Sequence, residues 1–144
     1  LVPAIVRWNR GELGPLAGAP LADPRVTVIE ADVGGVIRDA KAPYDAIVLD
    51  VDNGPDAVFE GNAALYRRRG LAAAHAALVP GGWLAGWSSF RSSTFTTWLK
   101  EIGFVTELAT LRHATRGGPT YFVWFAQRPG AARSRLRPRP RRGH

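Results

Sequence analysis

Tyr44-Asp-Ala-Ile-Val-Leu-Asp50 constrains the fold more than any other stretch of this sequence. Its run from Ala46 to Leu49 is apolar at every position. A strand with one wetted face alternates apolar and polar side chains, so an unbroken apolar run predicts burial on both faces. That is the pattern of a central strand in a parallel sheet. Such a sheet needs helices on its faces, so the flanking segments should alternate helix with strand.

The flanking segments carry that alternation. Val2, Ile5, Val6 and Asn9 fall at helical spacing, and Gly11 ends the run. Residues 11–24, dense in Gly and Pro, read as loop. Arg25-Val-Thr-Val-Ile-Glu30 is short and β-branched, which predicts a strand, and a short helix or turn follows over 34–40. Residues 62–78 predict a helix with Leu65, Leu71, Ala74 and Leu78 on one side and Arg67, Arg68 and Arg69 on a solvated side. Pro80-Gly81-Gly82 stops it, and residues 83–87 predict the next strand. Ser92 or Ser93 can cap a helix running to Ile102, closed by Gly103. Residues 104–112 and 120–127 predict two more strands, joined by a loop around residues 116–119 that can close an antiparallel hairpin. The expected architecture is α/β: a mostly parallel sheet ending in an antiparallel hairpin.

Composition excludes several classes of function. At 144 residues the chain suits one domain. It has no cysteine, which removes disulfides, thiolate metal sites and a cysteine nucleophile, and it fits a reducing, cytoplasmic setting. No apolar run reaches the roughly 18 residues of a membrane span, and no signal-peptide pattern opens the chain. The three histidines are scattered, so no metal site is expected, and His75 reads as a packing or surface residue. Ser88, Ser89, Ser92 and Ser93 lack the Gly-x-Ser-x-Gly elbow of a serine nucleophile. Trp83, Trp87, Trp98 and Trp124 read as core rather than as a stacking platform.

Charge is placed unevenly. Of the 19 basic residues, seven are arginines within residues 128–144, a stretch without acids, so the formal +7 belongs to that tail. Residues 1–127 are balanced and make the domain; residues 128–144 predict a disordered Arg/Pro-rich extension. Such a tail suggests weak, salt-dependent, non-specific contact with nucleic acid or with anionic lipid, or an unstructured extension with no dedicated partner.

Ligands of open parallel sheets bind beyond the carboxyl ends of the strands. Asp32 follows the first predicted strand, Asp50 and Asp52 the second, and Trp87-Ser88-Ser89 the third. A carboxylate ending an apolar strand is costly unless a cation or donor meets it. Asp50 and Asp52, beside the turn Asn53-Gly54-Pro55, suit gripping an ammonium group and taking a proton from it. The other reading is that Asp-Asn-Gly-Pro is turn vocabulary and that strand-end aspartates cap the next helix. Both readings stand on spacing.

In order and spacing, residues 23–33, Tyr44–Asp50, Leu65-Tyr66 and Leu78-Val-Pro-Gly-Gly82 resemble the spermidine/spermine synthase family, over about residues 1–127. Leu1–Gly11 and Leu49–Pro55 resemble a spermidine-synthase-like bacterial branch. The resemblance implies a Rossmann-like class I methyltransferase fold and transfer of an aminopropyl group from decarboxylated S-adenosylmethionine to putrescine. It places Asp32 at the adenine amino group with Val33 beside the ring. It makes Asp50 the catalytic aspartate, in contact with both co-substrate and amine, and Asp52 its second carboxylate. Tyr66 falls near a helix position after this loop. A homodimer is the expected assembly.

Two departures from the family carry expectations of their own. The second aspartate follows the first by two residues rather than three, which leaves a methyltransferase using S-adenosylmethionine as an alternative. No first strands and no Gly-rich loop precede the matched region, and the chain begins with Leu1 and holds no methionine. A fragment with impaired activity, or a non-catalytic module of the same fold, is expected on that ground.

Overall fold

A computed structural model describes residues 3–51, 54–56, 60–112 and 118–130. The chain divides into two compact units, Leu1–Asp39 and Ala40–His144.

The first unit holds α1 (Pro3–Arg10) and α2 (Val33–Arg38). The stretch between them, read as loop, contains two single 3-10 turns, Pro15–Ala17 and Pro20–Ala22, each started by a proline. The strand expected at 25–30 does not form. Residues 26–30 take no regular structure, and only the turn beside them is fixed: Arg25 donates to both oxygens of Asp23, at 2.9 and 2.7 Å. That pairing holds the Asp23 carboxyl below its ordinary value of 3.8. The β-branched residues supply propensity, but a strand also needs a ladder partner, and none meets this segment among the described residues.

The second unit is built on a mixed sheet of β1 (Tyr44–Leu49), β2 (Leu78–Ser88), β3 (Val105–Arg112) and β4 (Thr120–Gln127), in the order β1-β2-β4-β3. The pair β1–β2 is parallel, while β4 is antiparallel to both its neighbours. Three strands therefore run one way and β4 the other. The expected hairpin forms, with Val105 opposite Gln127 and Arg112 opposite Thr120; its connecting residues 113–117 lie outside the described residues.

The predicted long helix is two: α3 (Glu60–Tyr66) and α4 (Arg68–Ala77), broken at an extended Arg67. At the break Gly70 sits against α3's last carbonyls, where a Cβ would lie 2.4 Å from the Ala64 oxygen. Without a side chain the two helices can close on each other. The next helix, α5 (Ser93–Ile102), follows its sequence prediction: Ser92 Oγ accepts from the Phe95 amide at 3.2 Å, and Gly103 closes it.

The core lies between one sheet face and the helices. Leu49, Leu84 and Trp124 meet Phe95 and Leu99 of α5 there, and Phe95 stands edge-on to both Tyr66 and Trp124. Trp124 also donates from Nε1 to Thr96 Oγ1 at 2.8 Å, so its one polar atom is satisfied while the ring is buried.

The opposite sheet face carries large apolar residues too, but no described element of this unit covers it. Val48 is 71% exposed and Trp83 41%. This corrects the expectation for Ala46–Leu49: the strand is an edge strand, with β2 as its one ladder partner among the described residues. Its double-sided apolarity is real, but Ile47 and Leu49 alone are buried, because the helices of residues 60–102 all pack on one side. Of the tryptophans expected in the core, only Trp124 is fully buried. Trp98 lies under the Arg68 guanidinium, which pairs with Glu101.

The predicted tail begins with an anchored residue. The Arg128 guanidinium donates to the carbonyls of His75, Ala76 and Leu78, the last turn of α4 and its exit. Its backbone pairs with Gly81 and Gly82, at 2.8 Å each. A cation on a helix's free carbonyls satisfies groups that have no partner within the helix. The disorder expected beyond it falls on residues 131–144, outside the described residues. No helix among the described residues is long and apolar enough to cross a membrane.

Candidate functional site

Of the two described aspartates expected at strand ends, only Asp50 follows a strand, because the segment before Asp32 forms none. Asp32 is the N-cap of α2: its Oδ2 accepts from the Gly35 amide at 2.7 Å. The capping reading therefore describes one of its oxygens, and no described residue donates to the other. Val33, the first residue of α2, is exposed. Both belong to the first unit, and Asp50 belongs to the second. Asp52 lies outside the described residues.

Asp50 follows the last residue of β1, and its side chain is exposed. Strand alternation turns it to the open face of the sheet, alongside Val48. There its Oδ1 accepts a 2.7 Å hydrogen bond from Trp87 Nε1 on the neighbouring strand. Nothing among the described residues donates to Oδ2. One oxygen is thus held in a fixed direction by a rigid indole, and the other faces outward. A carboxylate so held accepts a proton or pairs with a cation without having to reorganise.

Two further contacts fix the chain around Asp50. The Tyr66 hydroxyl, on a ring 1% exposed, donates to the Val51 carbonyl at 2.8 Å and ties the loop to the core. Gly54 closes against β2, where a Cβ would come 2.2 Å from the Trp87 carbonyl oxygen, and its φ is +67°. Only glycine satisfies both demands. Gly54–Asp56 forms a single 3-10 turn, whose glycine seats the loop beside the residue that holds Asp50; Asn53 lies outside the described residues.

Trp87 is the residue that sequence reasoning misplaced. Its strand-end position marked it, yet its type was read as core. The indole is half-buried, donates to Asp50, and stands edge-on to Tyr121 with ring centres 5.7 Å apart. The signal was available in its place at the carboxyl end of β2, one step across from Asp50. Its neighbour Ser88 is fully buried and accepts from the Phe90 amide at 3.0 Å, which gives it a local structural role.

On the same open face Trp87, Leu111, Tyr121 and Val123 line a hollow of about 330 Å³. That lies at the lower end of the range of about 300–1,000 Å³ usual for small-molecule sites. No group of three or more His, Asp or Glu side chains able to hold a metal ion occurs among the described residues. His75 packs edge-on to Phe104 at 4.7 Å, and burial, with the Arg128 charge second, holds its pKa below the ordinary 6.5.

A scan against models of protein families finds no match to this chain, and a search of curated proteins finds none either.

Proposed function

We propose that this protein is an aminopropyltransferase of the spermidine-synthase type, in which Asp50 grips the amine. The observation that carries the reading is the exposed Asp50 carboxylate at the carboxyl end of β1, with one oxygen pinned by Trp87 and none of the described residues donating to the other. The resemblance puts the catalytic aspartate at this position. The strand order β1-β2-β4-β3, with an antiparallel strand placed between two that run parallel, agrees with the Rossmann-like methyltransferase fold that the resemblance implies.

The chemistry is a displacement at carbon. The amine nitrogen of putrescine attacks the methylene next to the sulfonium of decarboxylated S-adenosylmethionine. The new C–N bond forms as the C–S bond breaks, and the electron pair leaves on sulfur as methylthioadenosine. Asp50 holds the nitrogen in line and accepts the proton that it sheds. Alignment and charge complementarity supply the rate that such a site can give.

Calorimetry with putrescine tests the grip: Asp50→Asn should weaken binding at least tenfold, and equal affinity in the two proteins refutes the assignment. Product analysis tests the transfer. Methylthioadenosine and spermidine are expected from decarboxylated S-adenosylmethionine and putrescine. A methylated product from S-adenosylmethionine, with no aminopropyl transfer, would replace this reading with a methyltransferase, which the short Asp50–Pro55 loop favours.

A further inference from the structure

We infer that the Arg/Pro-rich segment of residues 131–144 lies across the open face of the sheet, with arginines paired to Asp50 and Glu107. Such a strap gives Asp50 a competitor built into the chain, whether or not Asp50 also grips an amine.

Strand register lays the open face out in rows two residues apart. Trp83 stands opposite Gln127, Phe125 stands between Ala85 and Glu107, and Trp87 stands opposite Val123. Phe125 alternates with the buried Trp124 and Ala126, so it points away from the core, and Glu107 opposite it shares that face. Val48 and Val105 are exposed there as well. Each carboxylate lies beside an aromatic ring: Asp50 at Trp87, Glu107 at Phe125. No described residue donates to the second oxygen of Asp50 or forms an ion pair with Glu107. Elsewhere the same molecule fills such a pairing with arginine: the Arg68 guanidinium lies over the Trp98 ring and pairs with Glu101. A guanidinium stacks on a ring and forks onto a carboxylate with one planar group.

The segment that fits leaves from this face. β4 ends at Gln127, and both backbone groups of Arg128 are held by Gly81 and Gly82, next to Trp83. Pro129 and Gly130 are exposed, and nothing lies within 4 Å of where a Cβ on Gly130 would be, so the chain has room to turn back. Residues 131–144 reach up to about 46 Å when extended, against about 13 Å from the Trp83 row to the Trp87 row. They carry six arginines and no acid. Arg133, Arg135, Arg137 and Arg139 recur at every second residue. In an extended chain that is about 6.6 Å, the spacing of the rows beneath.

The test is hydroxyl-radical footprinting of the full chain against a variant with those four arginines, Arg141 and Arg142 changed to glutamine. Labelling of Trp83 and Phe125, read against Trp8 of the first unit, should rise at least threefold in the variant. It should rise equally in the unaltered chain at about 1 M salt, where the screening length is about 3 Å. The thermal midpoint of the variant should stay within a few degrees, since the Arg128 anchor is kept. Asp50→Asn combined with Glu107→Gln should expose the same two rings, and protection retained there overturns the pairing. Equal labelling of the unaltered chain and the glutamine variant overturns the inference. Protection that persists in the variant and grows with protein concentration overturns it in favour of a second copy on the face. Putrescine calorimetry separates the site from its cover. The variant should bind about three- to tenfold tighter at low salt, where charge pairs are least screened; equal, measurable affinity in the two proteins takes the arginine away from Asp50. Rings protected by the arginines, with putrescine bound by neither protein, defeats the amine reading and leaves the strap standing.

Discussion

Both faces of the sheet carry large apolar residues, yet among the described residues helices cover only one of them. On one face Leu49, Leu84 and Trp124 are buried under α5. On the other, Val48 and Trp83 stand exposed, and Trp87 divides its ring between a hollow and a carboxylate. Hydrophobicity alone does not separate a stabilising surface from an exposed one. Cover does, because apolar area contributes to stability only where it leaves water.

Mutations can break that comparison or sharpen it. The largest expected effect is Trp124→Ala on the covered face, at about 3–5 kcal/mol lost in urea unfolding. Trp83→Ala on the open face should cost under about 1 kcal/mol by the same measurement. Equal losses would mean that the faces are not energetically distinct. Next is Gly54→Ala, where the added Cβ strikes the Trp87 carbonyl; a loss of about 1–3 kcal/mol is expected, with weakened putrescine binding in calorimetry. A stability loss without a change in binding would detach the loop from the site. Ser92→Ala removes the α5 cap and should cost about 1 kcal/mol in the same unfolding assay. Smaller still is Arg68→Ala: its exposed pair with Glu101 predicts a change within about 1 kcal/mol.

The covered side also has a pH signature. His75 is held neutral, with its pKa below 6.5 mainly because it is buried against Phe104 and secondarily because of Arg128. The unfolded chain therefore takes up a proton before the folded one does. Stability from this group is complete above pH 6.5 and declines as pH falls below that value toward the depressed pKa of the folded state. A urea titration series across that range should show the decline, and His75→Phe should remove this contribution to it.

Local order was legible where a single short-range rule governs it. The Ser92 cap, the Gly103 stop and the closing hairpin strands all stand where the sequence puts them. The helix over 62–78 was legible as helix but not as two, because the break at Arg67 depends on Gly70 fitting against carbonyls of the preceding turn. Residues 25–30 read as a strand for the same reason that they fail to be one: propensity is a property of the segment and pairing is a property of its neighbours. Arg128 read as tail because its composition belongs to the tail, while its partners lie about fifty residues away in sequence.

The sequence by itself determined the class of the protein: an α/β alternation, an apolar strand ending in Asp50, and a net positive charge that comes from the last residues. Those follow from periodicity, side-chain type and count. Only the tertiary structure decided that Asp32 caps a helix with one of its oxygens, that Asp50 meets an indole, and that Trp87 is half-buried and bonded to Asp50 instead of packed in the core. Each of those depends on which strand lies beside which and on which face the helices cover, and contacts between residues far apart in sequence leave no periodic trace in it.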